Sequence, residues 1–329
     1  MAALRILLLG SAVTGVLARP RRTPIWLAPC AALAIALAAG SVDVHAARAA
    51  LHPLAAPLAF LLLAVPMALL LDELGFFAAV AARISETRHI HLGLWVFAAA
   101  VTTTFNLDVS VVLLTPLYVR IARRHGLDPL AAAFPPVLLA GLASSALPIS
   151  NLTNLLAAKR FDLHSIDFRD APRSRVARRS CGRLCRVAWR DLPISATVLA
   201  GTLGVLAASA APHLGVARAI GVGDLAEMRA LGLSVIGANA FNNLPALLVV
   251  MPTLAAVPRE RLWAVLLGVN IGPMFVVMGS LAGLLWLDTA RHLGVDVDAR
   301  TFTKVGLRVG GPALVAAGAA LLATNAIAR

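Results

Sequence analysis

The polar side chains that could do chemistry gather in four short stretches, each set inside long apolar runs. The first is Thr104-Phe105-Asn106-Leu107-Asp108. The second is Pro148-Ile149-Ser150-Asn151-Leu152-Thr153-Asn154. The third is Phe241-Asn242-Asn243-Leu244-Pro245, and the fourth runs from Asn270 through Gly272-Pro273 to Gly279-Ser280. Carboxamides and hydroxyls both donate and accept hydrogen bonds. Asn106, Ser150, Asn151, Thr153, Asn154, Asn242, Asn243, Asn270 and Ser280, with Gly279 beside the last, are therefore candidate contacts for a small polar solute. Asp108 is the one acidic residue in these stretches, and no Arg or Lys lies in them. That set suits an uncharged solute, with proton or cation exchange at Asp108. The same residues also suit helix capping, Asp108 ahead of Val109 and the Asn residues ahead of their own segments, and the two roles are compatible. Hydrolytic and zinc chemistry lack their motifs: neither His-Glu-x-x-His nor Gly-x-Ser-x-Gly occurs.

The background to these stretches is strongly apolar. Of 329 residues 60% are hydrophobic and 14% charged, and mean hydropathy is +0.85. Such a composition belongs to a polytopic membrane protein. An ionisable group at membrane depth is costly, which makes Asp108 a functional residue by default. The net charge of +13 comes largely from Arg residues between apolar segments, the pattern of loops retained on the cytoplasmic side. No aromatic interleaving accompanies the Arg-rich residues 159–190, so no nucleic-acid partner is expected. Helical spacing of Arg175, Arg178, Arg179, Arg183 and Arg186 suits anionic lipid headgroups. Cys30, Cys181 and Cys185 are too few for a disulfide framework, and two isolated thiols do not define a metal clip. The apolar run Ile6 to Leu17 imitates a signal peptide, but it lacks a cleavage site and further spans follow, so it reads as a first helix.

The elements that must position these residues follow from where the apolar runs stop. Helices are expected over 4–18, 25–41 and 54–82, with 43–52 as a linker. The third carries Asp72-Glu73, read as an interfacial pair or a kink in preference to a relay inside the bundle. Basic residues flank the next two apolar runs, Arg83 and Arg88 before, Arg120, Arg123 and Arg124 after. Both ends then lie on one side, giving a re-entrant hairpin with its tip at 105–108, allowed at that depth only when buried in protein or lining a cavity. Residues 129–158 read as a helix broken at Pro148, which removes a backbone donor. The second half repeats the order: a helix over 191–210, a tip at 239–245, a broken helix over 262–290 and a last helix over 301–325, with Lys304 and Arg308 near its start. One and the same offset separates Phe105 from Phe241 and Pro116 from Pro252, and Asn151 aligns with Ser280. Apolar segments interrupted at matching places in two halves point to a transporter's binding site. The domain reading is a first repeat over 1–160, a basic linker over 161–190 and a second repeat over 191–329. The fold class is an all-α polytopic membrane protein: an inverted repeat with two re-entrant helical hairpins and two discontinuous helices.

The order of hairpin then broken helix, twice, resembles the ion transporter superfamily, and within it the ArsB-type arsenite/antimonite permeases and their citrate-transporter-like relatives. Phe105-Asn106-Leu107-Asp108 through Leu113-Leu114-Thr115-Pro116, Pro148 through Asn154, Asn242-Asn243-Leu244-Pro245, and Gly272-Pro273 through Gly279-Ser280-Leu281-Ala282 carry the resemblance, over most of 54–160 and 225–325. It implies a secondary transporter working by alternating access, exporting arsenite or antimonite coupled to the proton gradient, with its site between the two tips and the two breaks. An anion carrier for di- or tricarboxylates and a shortened, non-transporting homologue are the alternatives. The second arises because related permeases are longer, with a crossing absent from 159–190. The expected partners are the lipid bilayer, a small inorganic or organic solute and, as the resemblance allows, a second copy of the chain and an ArsA-type ATPase. No cofactor is expected, and the expected location is the inner (plasma) membrane, crossed several times.

Overall fold

The computed structural model describes residues 1–18, 23–87, 89–105, 107–145, 150–161, 194–223, 225–254 and 259–328. The readings made on Arg88, Asn106, Pro148, Ile149, Cys181, Cys185 and the basic linker lie outside the described residues. Every regular element among the described residues is helical. Helices α1 (Ala2–Leu17), α2 (Leu27–Ala38), α3 (Val44–Leu51), α4 (Ala55–Glu73) and α5 (Phe76–Ser85) open the chain. A pair follows, α6 (Ile90–Thr104) and α7 (Leu107–Arg124), and then α8 (Pro129–Leu142) and α9 (Leu152–Phe161). In the second half α10 (Ile194–Ala210) and the short α11 (Val216–Ile220) precede another pair, α12 (Ala226–Phe241) and α13 (Asn243–Val250). The chain ends with α14 (Arg259–Ile271), α15 (Leu281–His292) and α16 (Ala299–Ala328).

Local chemistry accounts for several boundaries. Asp43 accepts a 2.7 Å hydrogen bond from Ala46 N and so starts α3, where the sequence reading has a linker. Residues 54–82 are two helices, not one: Gly75 takes φ 76° and turns the chain between α4 and α5, a conformation glycine adopts without a Cβ penalty. Asp72 and Glu73 end α4 and are exposed, so the acidic pair marks the bend. Asp128 caps α8 through Leu130 N at 2.9 Å, with Pro129 in the first turn. Asp298 likewise receives Thr301 N at 2.7 Å at the start of α16, and hydrogen bonds from Thr301 hold its carboxyl below the usual carboxylate range.

Packing sets the directions. The Tyr118 hydroxyl donates to Leu94 O at 2.5 Å, which holds α7 antiparallel to α6. α7 packs on α8 and on α15, and α13 packs on α10 and α9. α7 and α15 run parallel: they start beside one cavity, and at their far ends the Arg123 guanidinium donates to Leu293 O at 2.5 Å. α12 runs parallel to α14. Glu227 and Arg261 form a buried ion pair at 3.7 Å near their starts, and a Cβ on Gly268 would lie 2.6 Å from Ser234 Cβ farther along. By length and composition, residues Ala299–Ala323 of α16 are enough to cross a bilayer; other apolar helices, such as Ile90–Thr104 and Pro129–Leu142, are shorter.

Candidate functional site

Four helices begin at one cavity: α7 at Leu107, α9 at Leu152, α13 at Asn243 and α15 at Leu281. Asp108, Asn151, Thr153, Asn242 and Asn243 also line it, with Met278 and Pro245. Its opposite wall is apolar and comes from the opening helices and α10: Val13, Val16, Ile25, Leu199, Ala200 and Leu203. A second, smaller cavity lies behind, lined by Leu107, Gly141, Asn151, Asn243, Asn270, Met274, Ser280 and Phe302 among others. Leu107, Asn151 and Asn243 border both, so these three side chains divide an outer cavity from an inner one.

The two breaks are built alike. Asn151 Oδ1 accepts from Thr153 N at 3.1 Å at the start of α9, and Ser280 Oγ accepts from Gly283 N at 3.1 Å at the start of α15. Each aligned residue thus caps the second half of its interrupted helix. The breaks are also joined directly. Asn270 Oδ1 accepts from Asn151 Nδ2 at 2.7 Å and from Thr153 Oγ1 at 2.9 Å, while Asn270 Nδ2 donates to Asn154 Oδ1 at 2.6 Å. Asn154 Nδ2 and Ser150 Oγ both donate to Ser144 O, at 2.6 and 2.7 Å. All of these side chains are buried.

The candidate residues therefore fall into two groups. Asp108, Asn151, Thr153, Asn242 and Asn243 face the outer cavity, and Asn151, Asn243, Asn270 and Ser280 face the inner one. Ser150 and Asn154 are buried behind the break, their polar atoms turned to protein partners. Gly279 sits against the break itself: a Cβ there would come within 2.7 Å of Pro273 Cα and 3.2 Å of Asn239 Oδ1. Asn106 is outside the described residues, but its neighbours Leu107 and Asp108 reach the same cavity as Asn242. Asp108 occupies the first turn of α7.

The second tip differs from the expected 239–245 loop. α12 stays helical through Phe241, because Asn239 Nδ2 bonds Val235 O of its own helix at 2.8 Å and Gly272 O of the break at 2.9 Å. The turn is made by Asn242 alone, with φ 77° and ψ 153°, the one positive φ among the described non-glycine residues. Its Nδ2 donates weakly to Met278 O at 3.4 Å. Asn243 is a buried residue that lines both cavities. The apolar wall and Met278 escaped the sequence reading. Their residues are ordinary for a membrane helix, and no pattern separates a cavity wall from a lipid face. Asn239 was readable only as part of the tip, not as the residue that ties α12 to the second break.

Two family models match the chain in succession. The Citrate transporter family (CitMHS) matches residues 16–171, covering α2 to α9, and the Arsenical pump membrane protein family (ArsB) matches residues 194–323, covering α10 to most of α16. Both families consist of secondary transporters and not enzymes, and both are parts of one superfamily. With two tips and two breaks gathered around a shared pair of cavities, and a family match on each half, the chain is similar to membrane transporters of the CitMHS/ArsB kind, both families being members of the ion transporter superfamily.

Proposed function

We propose that the protein is a secondary active carrier of the ArsB type that exports arsenite or antimonite across the inner membrane, coupled to the proton gradient by alternating access. The observation that carries this reading is the lining of the cavities. Among the described residues it offers amides and hydroxyls, one carboxylate at Asp108, and no Arg or Lys. Arsenite near neutral pH is an uncharged trihydroxide, whose oxygens accept and whose hydroxyls donate, so Asn151, Thr153, Asn242, Asn243 and Ser280 match it without a fixed positive charge. Asp108 is placed to exchange a proton beside the solute, in keeping with the role of intramembrane carboxylates. In this reading α6–α7 and α12–α13 are re-entrant hairpins, α8–α9 and α14–α15 discontinuous helices, and the two sets an inverted repeat. Residues 1–160 and 191–329 are its halves. The reciprocal packing of α7 on α15 and of α13 on α9 supports that arrangement.

A second reading has its own support. Four helix N-termini converge on the outer cavity, and each contributes about half a positive charge. The first half also resembles citrate transporters. A di- or tricarboxylate would exploit those dipoles if Asp108 were neutral. Uptake of radiolabelled arsenite, phosphate and citrate into everted vesicles bearing a proton gradient separates the readings. Arsenite uptake that Asp108→Asn abolishes, with the protein still folded, is the expected result. Citrate uptake replaces the first reading with the second, normal uptake by Asp108→Asn removes the coupling role, and uptake of none leaves the shortened homologue.

A further inference from the structure

We infer that Asn270 is a positioning residue of the carrier, clamping the two broken helices to each other so that Asn151 and Thr153 are held at the solute cavity. Three of the four hydrogen bonds its carboxamide can make go to the other half of the chain. Oδ1 takes two donors, Asn151 Nδ2 and Thr153 Oγ1, and Nδ2 gives to Asn154 Oδ1, all between 2.6 and 2.9 Å. These partners lie 116 to 119 residues away in sequence, and Asn270 itself is 3% exposed. A group with three buried hydrogen bonds to protein has little left to offer a solute. Its effect reaches the outer cavity through Asn151 and Thr153, which line it while Asn270 does not.

Close packing around the clamp makes it the hinge of register between the breaks. A Cβ on Gly141, at the end of α8, would stand 2.6 Å from Met274 Cγ and 3.3 Å from Asn270 O. Among the described residues, the first break meets the second at the Met274 side chain, the Asn270 backbone and the Asn270 amide. Loosening the amide allows Asn151 and Thr153 to turn without moving either helix. The consequence is lost affinity at an unchanged rate of turnover, because the site is misaligned while the helices that move stay intact.

The inference rests on the carrier reading, and two readouts keep the failures apart. In vesicles, Asn270→Leu is expected to raise the KM for arsenite about tenfold or more while maximal rate per folded carrier stays within about threefold. Asn270→Asp in its neutral form keeps the same pattern, one oxygen accepting from Asn151 and Thr153 and the hydroxyl donating to Asn154 Oδ1, so it should remain within about threefold of wild type. Thr153→Val combined with Asn270→Leu should be no worse than Asn270→Leu alone, the mark of one shared network. An unchanged KM for Asn270→Leu, or fully additive effects, overturns the clamp. The second readout needs no flux. Gly141→Cys and Met274→Cys, with the native cysteines replaced by serine, should form a disulfide at least about threefold more slowly when Asn270→Leu is added, as coupled neighbours respond to each other. Equal rates overturn the clamp even if wild type moves no arsenite, a result that would count against the function alone.

Discussion

At the scale of single residues, the site is built on a conformation that the chain would otherwise avoid. Asn242 holds φ 77° with ψ 153°, a region that is essentially reserved for glycine and costs other residues about 1–3 kcal/mol. Asn242→Gly should therefore leave the melting temperature in detergent unchanged or raise it by up to a few degrees, the relieved strain outweighing the extra entropy of an unfolded glycine. The same change removes an amide from the outer cavity. Arsenite uptake in vesicles should then show a KM raised several-fold, on the order of one lost hydrogen bond. A variant with lowered melting temperature and unchanged KM would show that the asparagine serves the turn and not the solute. The sequence discloses that Asn242 and Asn243 interrupt an apolar run. It does not disclose that Asn242 makes the turn while its neighbour Asn243 lies buried between the two cavities, because that depends on which element covers each. Pairing is equally hidden: nothing in the spacing of Ser150, Asn151, Thr153 and Asn154 announces Asn270 as their partner.

At the scale of elements, the breaks were legible because proline and polar residues stand out in apolar helices, and the starts of α7, α9, α13 and α15 fall at or beside them. What hydropathy does not report is continuity. It resumes at once past Asp72-Glu73 and Gly75, where the chain turns, and it drops at Asn239, where side-chain bonds to Val235 O and Gly272 O keep the helix intact. It also gives no sign that α12 and α14 are riveted by charge. Glu227 and Arg261 have side chains 11% and 10% exposed. Removing one member of such a pair strands the other charge, at a cost of about 3–5 kcal/mol, whereas an apolar replacement of both is often neutral or better. Glu227→Leu should thus lower the detergent melting temperature markedly, and Glu227→Leu with Arg261→Met should recover most of the loss. If the double variant is as unstable as the single one, the pair acts through something other than stranded charge.

At the scale of the whole molecule, the directions of the helices decide whether the two halves are inverted. α6 and α7 are antiparallel, so both ends of the first hairpin share one face with Arg123. Arg123 bonds Leu293 O, which places the end of α15 on that face too. α15 begins at the cavity, in the middle of the molecule. α14 packs mainly on α12, α16 and α13, whereas α15 packs mainly on α7. In the proposed inverted repeat the chain passes through at the break, so that α14 starts on the opposite face. α12 starts beside α14, where Glu227 meets Arg261, and the second hairpin then comes in from the face opposite the first. Single cysteines at His125→Cys and Val222→Cys, both exposed in the turns next to α7 and α12, should then react with a membrane-impermeant maleimide from opposite sides. One should label in intact cells and the other in everted vesicles. Labelling of both from the same side would mean that the hairpins enter together. The dipole ends would then gather at a cavity served from one face only, where alternating access has no geometry to work with.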